Sequence, residues 1–265
     1  MLSIAHIINP VMVDNTSDLF IAQPITFETM HMAKEFSKNQ VNVNLYAIQD
    51  RHESPIPLPG VFLKTPGLKR SIIDIKNFKQ KRKLPLIKDI LDTLYKSSKA
   101  EYMIYTNIDI ALQPYFYRAV SHIIRQGYDA FIINRRTIPG KYKTVEEIPL
   151  MCAEIGEKHQ GWDCFVFHRS LYPRFRLGNA CIGTGWIGRV MITNMACLAR
   201  QFRIFEDLHL TFHIGNDKVW QDPQWEDYLA HNKNECRRVL LDFDRKYGPF
   251  DRSQLPGRFF LQLKK

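Results

Sequence analysis

A chain of 265 residues, of which 45% are hydrophobic and 24% charged, is long enough to bury one large core and is not composed like a disordered protein. Its 37 lysines and arginines outnumber 27 aspartates and glutamates, and the net charge of +10 favours anionic partners: nucleotides, nucleic acid or an anionic membrane face. The five cysteines are widely spaced and include no C-x-x-C pair, which argues against a structural zinc site and a disulfide framework.

The sequence shows neither the basic leader and apolar core of a signal peptide nor a run of about 18 apolar residues that would span a membrane. We therefore expect a cytoplasmic protein in which any membrane contact is peripheral, at the inner face. The last residues, FFLQLKK, combine aromatic and basic side chains and are the candidate for such a contact.

The first part of the chain alternates between strand and helix patterns. Residues 3–9 and 41–48 predict buried strands, and residues 23–39 predict a helix between them. Asn9 and Asp50 follow the two strands, at the edge where open α/β sheets bind a base or a ribose. We expect both side chains to contact a nucleotide, and a solvated loop acid is an equally good interpretation of Asp50.

The most basic segment, residues 64–83, precedes a predicted amphipathic helix over residues 84–98. Nucleic-acid binding uses such charges on phosphates, but the aromatic residues that stack on single-stranded bases are nearly absent from this segment. A solvated face accounts for most of the charges. Arg70, Arg82 and Lys83 are the candidates for neutralising phosphate groups.

The stretch on which the site prediction depends is an apolar run, residues 102–105, followed by Asn107 and Asp109. Because positions two apart on an extended chain point the same way, these two side chains can present oxygens to one Mg²⁺ or Mn²⁺ ion. One acid fewer than in an Asp-x-Asp pair means weaker metal affinity, or a site that the phosphates of a substrate complete. A strand-end turn capped by Asp109 is the alternative interpretation.

A helix pattern over residues 115–126 and an apolar run over residues 128–134 come next. Strand, helix and strand with short links predict a βαβ unit of a parallel sheet. Arg135 and Arg136 then lie at the same sheet edge as Asp109, where a guanidinium suits phosphate or carboxylate recognition. Charges on the rim of the sheet are the alternative.

The second half of the chain holds further candidate residues. Asp163 comes directly before a predicted strand, residues 164–168. Residues 174–188 contain four glycines and predict a loop close to a substrate, ahead of a helix over residues 186–200. His213, in the segment TFHIGNDKVW, is a candidate metal ligand.

Three of these segments, in this order, resemble parts of the GT-A nucleotide-diphospho-sugar transferases. TNIDIALQPYFY (106–117) resembles the strand end, acidic motif and following helix of that family. GWDCFVFHR (161–169) resembles a later G-x-D segment, and TFHIGNDKVW (211–220) resembles the H-x-N-H-D segment. The resemblance covers about residues 83–220.

The resemblance implies a single α/β domain, residues 1–265, with a GT-A-like, Rossmann-related fold: a mixed, mostly parallel sheet flanked by helices. Its nucleotide-sugar-binding half would be residues 1–135, and its acceptor-binding half residues 136–265. The implied activity is transfer of a sugar from a nucleotide-diphospho-sugar donor to a saccharide or lipid-linked acceptor, with no nucleic acid as partner.

The resemblance also implies roles for the candidate residues. Asp109 and His213 would hold Mg²⁺ or Mn²⁺ on the donor diphosphate. Asp163 would be the base that takes the proton of the acceptor hydroxyl, or a ligand of a sugar hydroxyl, and a turn-capping aspartate is the alternative. The residues that would bind the donor itself are Asn9, Asp50, Arg70, Arg82, Lys83, Asn107 and Arg135.

Two other functions stay open at this point. A sugar-nucleotidyltransferase would share the fold and the ions, but the glycine-rich phosphate loop with which such enzymes open is absent from residues 1–20. A non-catalytic nucleic-acid-binding protein would explain the net charge of +10 but not the three segments.

Overall fold

The computed structural model describes residues 1–216 and 222–248. Its strands are β1 (Leu2–Ile8), β2 (Val41–Ala47), β3 (Phe62–Lys64), β4 (Tyr102–Thr106), β5 (Ala111–Leu112), β6 (Ala130–Ile133), β7 (Arg136–Ile138), β8 (Glu157–Lys158), β9 (Cys164–His168), β10 (Phe202–Phe205) and β11 (Thr211–Ile214). Its helices are α1 (Leu19–Ser37), α2 (Ile87–Ser97), α3 (Phe116–Arg125), α4 (Ile148–Ala153), α5 (Ile187–Leu198) and α6 (Glu226–Tyr247). Residues 217–220 of the TFHIGNDKVW segment and the FFLQLKK tail lie outside the described residues.

Two sheets organise the described part of the chain. Seven strands form the large sheet, in the order β10-β6-β9-β4-β1-β2-β3, and the small sheet has the order β5-β11-β7-β8. In the large sheet every pair is parallel except the two that β9 makes with β4 and β6, which are antiparallel. The predicted α/β fold with a mixed, mostly parallel sheet flanked by helices is therefore confirmed.

The predicted βαβ unit differs from the structure in one respect. Strands β4 and β6 are not neighbours, because β9 lies between them and pairs with both. The first four residues of β9, Cys164 to Phe167, are buried and apolar, as a central strand requires because both its faces are covered. Local pattern cannot place a strand that arrives from a later part of the chain.

The apolar face of α2 shows how the helices attach to the sheet. Ile87, Ile90, Leu91 and Leu94 recur at helical spacing and are fully buried against the large sheet. Burial of side chains of this size contributes roughly 1.5–3 kcal/mol each. The predicted amphipathic helix is thus present, although it begins at Ile87, after Leu86 in an extended conformation.

Helix α1 begins earlier than its pattern predicts. The pattern places Pro24 near the helix start, whereas the helix begins at Leu19 and contains Pro24 within it. A first turn forms ahead of the proline, since the backbone N–H of Ala22 donates to the carbonyl of Asp18 at 3.0 Å.

No helix within the described residues is both long and apolar enough to cross a lipid bilayer.

Candidate functional site

The central feature of the site is the edge of the large sheet at which β4 and β6 end. Because β9 runs antiparallel to both, the residue before it, Asp163, lies at that same edge. Asp163 Oδ1 accepts a hydrogen bond from Asn107 Nδ2 at 3.1 Å, and Oδ2 accepts one from Arg135 Nη1 at 2.7 Å. A single carboxylate therefore joins the ends of three adjacent strands.

The Asn107 side chain is held in one orientation. Its amide nitrogen donates to Asp163, and its oxygen accepts a hydrogen bond of 3.1 Å from the hydroxyl of Tyr105. Burial raises the pKa of Tyr105, and the nearby charges of Asp109 and Asp163 raise it further, so the hydroxyl keeps its proton. The backbone N–H of Asn107 also donates to the Asp163 carbonyl, at 3.3 Å.

A second pair, Asp109 and His213, is brought together by the small sheet. Strand β11 pairs antiparallel with β5, with Phe212 opposite Ala111, and His213 Nε2 lies 3.2 Å from Asp109 Oδ2. His213 Nδ1 lies 2.9 Å from the Gly215 carbonyl, which can only accept, so this nitrogen donates.

Opposing effects set the pKa values of this pair. Burial lowers the pKa of His213, but its hydrogen bond to Asp109 and the charge of that carboxylate outweigh burial and raise the pKa. For Asp109, burial raises the pKa, and the hydrogen bond and charge of His213 together with the charge of Arg135 outweigh it and lower the pKa. Both directions favour the ion pair of an imidazolium with a carboxylate.

The residues present fit a cation site with few protein ligands. Asp109 Oδ1 is buried and has no hydrogen-bond partner among the described residues, which is a position that a cation can satisfy. No group of three or more His, Cys, Asp or Glu side chains that could hold a metal occurs in the described part of the chain. Mg²⁺ and Mn²⁺ suit such a site, because they take one or two protein ligands and fill the rest with water and phosphate.

The predicted nucleotide contacts at β1 and β2 lie at the same edge of the sheet, since β1 is the parallel neighbour of β4. Asn9 is buried after β1; its Nδ2 donates to the Ile48 carbonyl at 2.6 Å, and its Oδ1 has no partner within residues 1–216 and 222–248. Asp50 Oδ1 accepts from the backbone N–H of His52 at 2.8 Å, which is the bond of a turn. Asn9 thus keeps one acceptor for a ligand, while Asp50 holds its own loop.

Two of the three basic candidates, Arg70 and Arg82, bind other side chains. Arg70 forms a two-pronged pair with Asp89 of α2, with distances of 2.8 and 3.0 Å. The Arg82 guanidinium lies 4.3 Å from the Trp225 ring, and its Nη2 donates to Gln224 Oε1 at 2.6 Å. Lys83 is exposed. The structure therefore brings together five of the predicted residues, and phosphate binding by the other three basic ones stays a prediction. The five are Asn107, Asp109, Arg135, Asp163 and His213.

The sequence interpretation missed two residues of the site. Tyr105 was counted within an apolar run, yet it lies two positions before Asn107, which directly follows β4, and on extended chain that spacing places both side chains on the same side and could have identified it. His159, whose Nε2 lies 3.3 Å from Arg135 Nη2, carries no local signal. Its place follows from β8, because Lys158 pairs with Arg136 of β7.

Solved structures with a similar fold are nucleotide-sugar enzymes. The chain is similar to S. aureus TarS in complex with UDP-GlcNAc, with a TM-score of 0.50 and 6% identity over 99% of this chain and 78% of that one. It is also similar to glucosyl-3-phosphoglycerate synthase from Mycobacterium tuberculosis with Mn²⁺, UDP-glucose and phosphoglyceric acid, with a TM-score of 0.47 and 10% identity over 89% of this chain and 80% of that one. The sequence matches no protein-family model and no curated protein. At these identities, the likeness to TarS establishes the fold alone.

Proposed function

The chain has the fold of the GT-A nucleotide-sugar glycosyltransferases, and from this premise we propose that it transfers a sugar from a nucleotide-diphospho-sugar donor to a saccharide or lipid-linked acceptor. The observation that carries the proposal is the meeting of Asn107, Asp109, Arg135 and Asp163 at the edge where the parallel strands end. Open α/β sheets bind their ligands at that edge.

A uridine diphosphate sugar is the first donor to consider. The GT-A structure with the similar fold, TarS, is in complex with UDP-GlcNAc. In this chain the free acceptor of Asn9 lies at the end of β1, next to β4, where a donor amide or hydroxyl can bind it.

Asp109 and His213 would hold the diphosphate end of the donor. Asp109 Oδ1 and, after loss of its Nε2 proton, His213 are the protein ligands that the site offers to Mg²⁺ or Mn²⁺. Such an ion, when bound, neutralises the diphosphate and stabilises the leaving group. Arg135 adds a permanent positive charge, and its pairing with Asp163 keeps the guanidinium in place.

Asp163 is the proposed base for the acceptor hydroxyl. Its Oδ2 is held by Arg135 at 2.7 Å, which orients the carboxylate. Its Oδ1 accepts from the neutral amide of Asn107 at 3.1 Å, and an acceptor hydroxyl can take the place of that donor. A base must come within hydrogen-bond reach of the proton it removes, and Oδ1 is the oxygen that can do so.

The test is thermal stability against a panel of nucleotides and nucleotide sugars, with and without Mn²⁺. A ligand at about 100 times its dissociation constant adds roughly 2.7 kcal/mol. We expect a metal-dependent shift with one nucleotide that Asp109→Ala removes and that Asp242→Ala, an acid exposed on α6, retains. The nucleotide sugar that shifts the native chain is then assayed for sugar transfer by mass spectrometry.

Two results would count against the proposal. If no nucleotide shifts the native chain, the donor site does not exist. If Asp109→Ala keeps the full metal-dependent shift, the site lies elsewhere in the chain.

A further inference from the structure

A second cluster of side chains begins one residue before Asp163. The Arg189 guanidinium lies 5.5 Å from the ring of Trp162 and 4.4 Å from the ring of Trp186. The Lys233 ammonium, from α6, lies 5.6 Å from the ring of Trp186. We call these four residues, Trp162, Trp186, Arg189 and Lys233, the Trp186 cluster. The cluster adjoins the proposed base in the sequence, because Trp162 directly precedes Asp163.

Close packing connects the cluster to Asp163. A Cβ at Gly188, in the first turn of α5, would lie 3.1 Å from Trp162 Cε3. The start of the helix therefore packs closely against the indole. Trp162 is the chain neighbour of Asp163. The position of the α5 start is therefore coupled to that of the carboxylate at the sheet edge.

The loop that carries Trp186 has a backbone conformation that is unfavourable in free energy. Trp186 has φ 76°, and no other non-glycine residue in the described part of the chain has a positive φ. A left-handed conformation costs a bulky residue roughly 1–2 kcal/mol, so the surroundings must impose it. Asn232 of α6 does so in part, because its Nδ2 donates to the carbonyls of Cys181 at 2.8 Å and Gly185 at 2.9 Å.

One buried hydroxyl, two residues before Trp186, is a further donor near the Trp186 cluster. Thr184 Oγ1 is buried and makes no hydrogen bond with the described residues, and Thr184 is only 7% exposed. No side chain in the described part of the chain caps the start of α5, where backbone N–H groups and the helix dipole favour an anion. A hydroxyl, a helix start and two cations within one loop and its packing partners are complementary to a phosphate group.

We propose that the Trp186 cluster binds a phosphate group carried by the acceptor, so that the acceptor is a phosphorylated saccharide or polyol. This inference rests on the proposed function, because it assigns the acceptor side of the same site. A neutral sugar gains only hydrogen bonds to its hydroxyls from two cations, whereas a phosphate also gains charge–charge attraction from both Arg189 and Lys233.

The exposed lysines of the segment 76–83 strengthen the field around the cluster. This segment packs on α6 through Phe78, whose ring stacks on that of Tyr228 at 4.0 Å. Lys79, Lys81 and Lys83 are exposed on it. Positive charges on this segment attract an anionic acceptor and make its binding weaken with salt, although the segment also meets one acid, since the backbone N–H of Lys79 donates to Asp227 of α6 at 2.8 Å.

The experiment titrates glycerol 3-phosphate, with glycerol as the neutral probe, into the native chain by calorimetry at low and high salt. We expect binding of glycerol 3-phosphate that weakens with salt, and none of glycerol. Lys233→Gln and Arg189→Gln are expected to weaken it at least tenfold, and Lys246→Gln, at an exposed position of the same helix, less than twofold.

UDP binding with Mn²⁺ is measured on the same samples to separate the two proposals. If UDP binds normally and Lys233→Gln binds glycerol 3-phosphate as the native chain does, the cations only pack on the indoles and the inference is overturned. Equal binding of glycerol and glycerol 3-phosphate overturns it as well. If UDP binds to no variant and not to the native chain, the proposed function itself fails.

Discussion

Asn107 and Asp163 are separated by 56 positions in the sequence, and the amide of the first donates a hydrogen bond of 3.1 Å to the carboxylate of the second. This bond explains why position 107 holds an asparagine, although an aspartate there would bind a metal more strongly together with Asp109. An aspartate at position 107 would offer no donor to Asp163 and would place a second negative charge beside it. The amide thus joins β4 to β9 and leaves Asp109 as the acid of the pair.

Asn107→Asp is expected to destabilise the metal-free chain and to increase its response to Mn²⁺. The free energy of unfolding should fall by about 1–3 kcal/mol, because the buried Asp163 Oδ1 loses its donor and meets a like charge. Mn²⁺ should restore more stability than it adds to the native chain, since the new pair offers one more negative charge. Urea unfolding with and without Mn²⁺ measures both effects.

Asn107→Ala is the control for that variant, because it removes the same hydrogen bond without adding a charge. It should lose stability and gain no response to Mn²⁺. An equal Mn²⁺ response in the two variants would contradict the account.

The ion pair of Arg135 with Asp163 should be strongly coupled, since the two side chains are only 10% and 11% exposed. Arg135→Met or Asp163→Asn alone is expected to cost about 3–5 kcal/mol, because the partner stays buried and uncompensated. The double variant should cost clearly less than the sum. At the exposed pair of Arg245 and Asp242, Arg245→Met should change stability by less than about 1 kcal/mol. Additive costs at the buried pair would contradict the prediction.

Removal of the proposed base should affect transfer more than donor binding. Asp163→Asn is expected to lower kcat by 10²–10⁴-fold, roughly the contribution of a positioned base. It should weaken the binding of UDP with Mn²⁺ far less, because Arg135 loses the partner that holds its guanidinium but keeps its charge. Initial rates and calorimetry on folded protein separate the two, and Asp242→Asn is the control. Turnover within threefold of the native value would exclude Asp163 as the base.

Gly178→Ala is expected to destabilise the contact between Glu235 of α6 and the loop at Gly178 and Asn179. Gly178 has φ +56°, and an added Cβ would overlap Glu235 Oε2. That carboxylate is buried and accepts from the backbone N–H of Asn179 at 2.9 Å. We expect a loss of more than about 1 kcal/mol in the free energy of unfolding.

Gly60→Ala is the matched control for this substitution, because a Cβ there would meet no atom within 4 Å. It should leave stability unchanged or raise it by up to about 1 kcal/mol. Similar losses of stability at both glycines would show that the contact with Glu235 is not the cause.

His6 should make stability depend on pH. It is fully buried between the Tyr117 hydroxyl at 2.8 Å and the Thr106 hydroxyl at 2.9 Å, and burial lowers its pKa to about 3. Because the unfolded chain takes up this proton near pH 6.5 and the folded chain does not, the stability is complete above about pH 6.5. It is lost as the pH falls towards 3, by about 1.4 kcal/mol per pH unit.

His6→Gln removes the titrating group and should flatten this part of the pH dependence by about one proton. Denaturant unfolding between pH 4 and pH 8 measures the slopes. The exposed His31→Gln is the control, and equal slopes for the two variants would contradict the account.

The sequence by itself determined most strands of the large sheet and most of the helices, but not the strands β5, β7 and β8 of the small sheet. It also placed Asn107, Asp109 and Arg135 at one edge of the large sheet. These features depend on the hydrophobic periodicity of a segment and on residues a few positions apart. They can therefore be predicted along the sequence without knowledge of distant contacts. Asn107 and Asp109 both lie just beyond the end of β4, but the extended geometry predicted for them is wrong. A turn replaces it, in which the Ile110 N–H donates to the Asn107 carbonyl at 3.3 Å, and the Asn107 side chain bonds to Tyr105 and Asp163.

Only the tertiary structure decided which side chains meet. Asp163 reaches Asn107 and Arg135 because β9 enters the sheet antiparallel between β4 and β6, and His213 reaches Asp109 because β11 pairs with β5. Neither pairing leaves a local signal, since the partners of a buried strand are selected by packing with distant segments. The same reason explains Arg70 and Arg82: their charges were evident in the sequence, but their partners, Asp89 and Trp225, depend on how the helices pack.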